Sequence, residues 1–85
     1  MTQPMTFHYW QRVAGEYHWQ LPDGSIYVVS RGWSDLPGTD RRRQTWTLAH
    51  VVERRDGPVA ELLSDWTRCG DAKADADRRY LATRP

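Results

Sequence analysis

The chain has almost no lysine, cysteine or phenylalanine and no long apolar run. Lys73 is the single lysine among 12 basic residues, and Cys69 and Phe7 are likewise alone. One thiol excludes an intrachain disulfide and suits a reducing compartment, so a cytoplasmic location is expected, in the producing cell or in a host. No stretch approaches the roughly 18 apolar residues of a membrane span, and Met1 to Met5 lacks the basic-then-apolar order of a signal peptide. No membrane partner is expected. An excess of either charge is missing too: 12 basic against 11 acidic residues leave a net charge of +1, so no bulk field attracts nucleic acid. Any such affinity must come from local clustering. Glycine-rich phosphate loops are absent, because Gly15, Gly24, Gly32, Gly38, Gly57 and Gly70 are scattered as turn residues. His8, His18 and His50 fall on separate strand-like stretches with no spacing that matches a zinc site. The expectation is therefore a non-enzyme: no catalytic residue, no metal, no cofactor and no small-molecule substrate.

What the chain does have is aromatic residues. At 85 residues it is one domain with a thin core, and five Trp and four Tyr compensate, since each aromatic can bury about 150–250 Å². Residues 1–5 read as a flexible tail and residues 6–85 as the domain. Phe7 to Val13 has a strand composition, and Ala14-Gly15 supplies a turn. Glu16 to Leu21 alternates, with Tyr17, Trp19 and Leu21 on one face. Pro22-Asp23-Gly24 then turns the chain into a return strand, Ile26 to Arg31. Two hairpin registers compete. A bulge at Gly24 pairs Trp19 with Tyr27 and Tyr17 with Val29, and is preferred; a tighter Asp23-Gly24 turn pairs Trp19 with Val28 and sends Tyr27 outward.

Gly32 to Arg43 is dense in turn formers and reads as a long irregular loop, which makes it a functional suspect. Gln44 to Glu53 alternates again, with Trp46, Leu48, His50 and Val52 on one face. Arg54 to Pro58 is a further turn. Residues 59–66 carry two signals: Val59, Leu62, Leu63 and Trp66 have helical spacing, while a turn at Asp56-Gly57 would make the same stretch an edge strand. Strand is the preferred reading. From Gly70 onward a helix is clear, with Cys69, Ala72, Ala76 and Tyr80 on one face and Asp75 and Asp77 assigned to its wet side. Asp71 near its start and Arg78, Arg79 and Arg84 near its end complement the helix dipole. The fold class is α+β: an antiparallel four- or five-stranded sheet with the C-terminal helix packed on Trp19, Tyr27, Trp46 and Leu48.

The succession Gly15-x-Tyr17, Pro22-Asp23-Gly24, Tyr27-x-Val29-x-Arg31, Trp46-x-Leu48, Asp56-Gly57 and Asp71-Ala-Lys-Ala74 resembles a pattern of small uncharacterised proteins of actinobacteria and their phages. In that pattern Ser or Thr followed by Leu opens the last helix. Here Arg68-Cys69 stands there, with Thr67 displaced by one, so Cys69 takes a buried Leu position and is expected to be an inert core thiol. By topology alone, a meander followed by one helix is similar to the plant AP2 domain and to the arm-binding domains of phage integrases, which implies a DNA-reading sheet face.

Two partner classes follow. A host or phage protein is favoured, because near-neutral charge and an aromatic residue outside the strand periodicity, Trp33, suit a protein interface. DNA is the alternative, with Arg41, Arg42 and Arg43 gripping phosphates and Arg54 and Arg55 extending the patch. Self-association through an exposed sheet edge is a third arrangement consistent with the chain.

Overall fold

The computed structural model describes residues 10–83. The tail, Phe7 to Tyr9 of the expected first strand and Arg84 lie outside the described residues. Among the described residues five strands, β1 (Gln11–Val13), β2 (Glu16–Gln20), β3 (Ile26–Asp35), β4 (Arg42–Arg54) and β5 (Gly57–Trp66), precede one helix, α1 (Cys69–Thr83). The strands lie in the order β1-β2-β3-β4-β5, all antiparallel, so each is joined to its neighbour by a hairpin.

Turn chemistry sets the register. Val13 faces Glu16 across Ala14 and Gly15, both with positive φ (52° and 82°), the mirror-image turn that matches strand twist. At the next hairpin Gly24 has φ 90°, the Leu21 amide donates to the Ser25 carbonyl at 2.8 Å, and the Gly24 amide donates to the Leu21 carbonyl at 3.0 Å. Trp19 consequently pairs with Tyr27 and Tyr17 with Val29, the preferred register. The large aromatics therefore share one face.

Residues 59–66 are strand, and a bulge explains their mixed pattern. Leu48 pairs with Ser64 but Ala49 with Leu62, so Leu63 is the extra residue. Beyond the irregularity Leu63 and Trp66 pack against the core while Leu62 is 75% exposed. A period of two is thereby broken, and the spacing mimics a helix.

The helix packs its Ala72 and Ala76 among Trp10, Trp19, Tyr27, Val29 and Leu48, with Tyr17, Trp46, Leu63, Trp66, Cys69 and Tyr80 around them. Ala72, Ala76, Val29 and Leu48 are fully buried. Small side chains let the helix approach the sheet closely, and the aromatics fill the flanks. Trp19 meets Trp10 and Tyr80 edge-on at centroid distances of 5.6 and 5.1 Å.

Two sequence expectations change. The loop expected at Gly32 to Arg43 is half strand: β3 runs to Asp35, β4 starts at Arg42, and the irregular part shrinks to residues 36–41 between them. Gly32 lies opposite Thr45, whose hydroxyl oxygen and that of Thr47 occupy the space beside it. Cross-strand neighbours thus outweigh the weak strand propensity of glycine. Asp75 is not on the wet side of the helix either; it is 2% exposed, drawn inward by partners described below.

Candidate functional site

β3 and β4 outrun the rest of the sheet. β2 pairs with β3 no further than Val29, and β5 pairs with β4 no further than Trp46. From there to the tip, Asp35 opposite Arg42, the hairpin is a two-stranded arm projecting roughly 16 Å at 3.3 Å per residue. Its tip is a closed structure. Pro37 and Gly38 (φ 74°) occupy the centre of a type II turn in which the Thr39 amide donates to the Leu36 carbonyl at 3.3 Å. The Leu36 amide donates to the Arg41 carbonyl at 3.0 Å, and the Arg41 amide to the Thr39 hydroxyl at 3.2 Å.

The arm presents Trp33, which is 63% exposed. Trp33 lies opposite Gln44, on the same face as Arg31 and Arg42, and Arg31 sits over the ring of Trp46 at 5.8 Å. Arg43, opposite Ser34, belongs to the other face. Along the β4 edge of the arm a cleft of about 250 Å³ is lined by Arg43, Thr45, Asp65, Trp66 and Thr67, among others. Between Arg31 and Thr45 four Arg stand against two Asp, a local net charge of +2. The remainder of the chain, eight basic against nine acidic residues, is at −1.

The predicted site residues are not all in one place. Trp33, Arg41, Arg42 and Arg43 gather on the arm, whereas Arg54 and Arg55 sit at the opposite end of β4, about 40 Å away along a strand of this length. One continuous arginine patch does not form. Arg31 belongs with the arm and was missed, because it reads as the end of an ordinary core strand. Comparison with protein-family models, with curated proteins and with solved structures finds no match.

The helix side holds a polar cluster that the sequence reading did not single out. The buried carboxylate of Asp75 accepts from the Ser64 hydroxyl at 2.7 Å, from Arg79 Nε at 2.9 Å and from Arg78 Nη2. The Ser64–Asp75 bond ties β5 to α1, and Trp66 Nε1, on the same strand, donates to Ser64 at 2.8 Å. Burial pushes the Asp75 carboxyl up, but the Ser64 hydroxyl and the Arg79 and Arg78 guanidiniums outweigh it and hold the pKa below its ordinary value. Cys69 behaves in the opposite way. Burial raises its thiol, with Lys73 pulling weakly downward, so the thiolate is scarce, as a packing role requires.

Asp23, Ser25 and His50 form a hydrogen-bonded chain whose order matters. The Ser25 hydroxyl donates to Asp23 Oδ1 at 2.5 Å, and Ser25 Oγ lies 2.9 Å from His50 Nε2. With its proton committed to Asp23, Ser25 accepts from His50 Nε2–H; this is the reverse of an arrangement that activates a nucleophile. Among the described residues no group of three His, Cys, Asp or Glu is placed to hold a metal ion. Among the described residues no helix is long and apolar enough to cross a membrane.

Proposed function

We propose that this chain is a non-enzymatic accessory protein, of phage or mobile-element type, that binds a host or phage protein through the β3–β4 arm. The observation that carries the reading is Trp33: a tryptophan more than half exposed, on a two-stranded projection whose outer backbone edges have no neighbouring strand among the described residues. Large aromatics are seldom left out without a partner, and Trp with Arg is the residue pair most enriched where interfaces gain their energy. The free edges offer main-chain groups for a partner strand. Arg31 and Arg42, with Asp35 opposite, give the same face a mixed-charge rim rather than a uniformly basic one.

The second reading, DNA in contact with the arm, rests on its local charge of +2 and on the fit of two-stranded ribbons to the major groove. One pair of variants separates the two. With protein as partner, affinity capture from an actinobacterial lysate yields a stoichiometric protein that protects amides between Arg31 and Thr45 from exchange. Trp33→Ala then weakens that complex at least about tenfold while the fold stays intact. With DNA as partner, duplex retardation falls steeply as salt rises, and changing Arg41, Arg42 and Arg43 to Ala flattens the slope. A partner that leaves the arm unprotected and tolerates Trp33→Ala would overturn the assignment of the site.

A further inference from the structure

On the helix-covered side, at the end away from the arm, a groove of about 600 Å³ opens between the last turns of α1 and the sheet. That volume lies in the range of small-ligand sites, and its walls come from four separate elements. Leu21, Leu63 and the Tyr80 ring form an apolar side, while Asp23, His50 and Glu61 form a polar one. We propose that this groove binds a primary ammonium group carried on an apolar or aromatic body.

Charge and lone pairs select the occupant. Arg79 also lines the groove, but its Nε is paired with Asp75 and its Nη2 reaches the Leu63 carbonyl at 3.4 Å, so one guanidinium, already engaged, stands against the two carboxylates of Asp23 and Glu61. Arg78, the other cation on Asp75, is turned to solvent with 70% of its side chain exposed. Asp23 and Glu61 have no ion-pair partner among the described residues. The groove is therefore acidic in its unmatched charge. His50 and Glu61 are directly opposite across β4 and β5, on the helix-side face. With Nε2–H of His50 directed at Ser25 Oγ, Nδ1 is the ring nitrogen left to accept, in a groove whose lining also includes the Asp23 and Glu61 carboxylates. Three acceptors suit a group with three donors, which an alkylammonium is. Tyr27, whose ring lies 5.1 Å from that of His50, and Tyr80 add aromatic surface that favours a cation with an apolar body. This site is not legible in the sequence, since Asp23, His50, Glu61 and Tyr80 are spread over some 60 positions and meet only through the register and the helix.

The test is a titration of the whole chain, followed through its amide resonances, with phenethylamine, the neutral isostere phenethyl alcohol and the anion phenylacetate. The expected result is saturable binding of phenethylamine at about 1 mM, with shifts confined to Leu21, Tyr27, His50, Glu61 and the last turns of α1. Phenethyl alcohol and phenylacetate should bind at least about tenfold more weakly. Glu61→Gln, at an exposed edge-strand position, should weaken phenethylamine about fivefold without altering the rest of the spectrum. A capped peptide, acetyl-Gly-Lys-Leu-amide, separates the sources. Tighter binding of the peptide assigns the cation to a partner's lysine side chain, and tighter binding of phenethylamine assigns it to a free amine. Equal affinity for amine and carboxylate, shifts scattered over the surface, or indifference to Glu61→Gln would overturn the proposal.

Discussion

At the scale of single residues, the buried polar groups are more informative than the apolar ones. Asp75 sits at the centre of a fan of donors from Ser64, Arg78 and Arg79, and through Ser64 it reaches the Trp66 indole. Its carboxyl is held below the ordinary value of 3.8, so the folded state binds the proton more weakly than the unfolded one. The stabilisation is therefore fully present above about pH 4 to 5 and is lost as the pH falls through the folded-state value. Asp75→Asn keeps the shape but cannot accept on both atoms, and a loss of about 2 kcal/mol is expected near neutral pH. Denaturant melts at several pH values check this: the gap between wild type and Asp75→Asn should narrow as the solution is made acidic. A constant gap would mean that the contribution of Asp75 is packing rather than charge. Lys73, the only lysine, is used with similar economy, its ammonium lying 3.6 Å from the centroid of the Tyr17 ring. It fixes the first half of the helix against β2.

At the scale of elements, the arm and the helix-covered sheet differ in what holds them. β4 between Trp46 and Val51 has a strand on each side and the helix across one face, whereas Arg42 to Thr45 has β3 alone. Local opening should follow this division, and amides of the arm that exchange hydrogen should do so at least about 100-fold faster than those around Leu48. Mass-spectrometric exchange over residues 26–54 measures it; uniform protection along β4 would show that the arm is buttressed by something beyond the pairing described. The same division explains what could be read in advance. Hairpin register, the alternation of β2 and β4 and the alanine face of α1 were legible, because each depends on neighbours a few residues away, such as Gly24 for the bulge and Trp19 for its pairing with Tyr27. The arm was not, since Gly32, Pro37 and Gly38 look like one long loop until Thr45 and Thr47 fill the space beside Gly32. Nor was the inward turn of Asp75, whose partner Ser64 owes its position to the bulge at Leu63. Trp33 was singled out for lacking a place in the strand pattern. It turns out to be in a strand, beyond the reach of the helix.

At the scale of the whole molecule, the topology makes the helix indispensable. The sheet is a meander with no crossover, so its contacts are mostly between consecutive strands, and such a sheet has only its faces with which to bury apolar surface. On the face away from α1, Ile26, Val28 and Val51 are only partly buried, and no described element crosses it. On the other, Val29 and Leu48 are fully buried beneath Ala72 and Ala76. Uncovering Val29 and Leu48 alone would forfeit about 1.5–3 kcal/mol each, with further losses from Tyr27, Trp19 and Leu63. A domain of this size has a total stability of only about 5–15 kcal/mol, so the strands should not survive without the helix. A chain ending at Thr67 is expected to lose its dispersed amide resonances and its near-ultraviolet aromatic signal. In the intact protein, far-ultraviolet ellipticity and tryptophan fluorescence should follow one denaturant transition, because Trp10, Trp19, Trp46 and Trp66 all pack where sheet and helix meet. A truncated chain that kept its dispersion would place the stability in the Trp10–Trp19–Tyr27 stack, and the helix would then be a cover rather than half of the core.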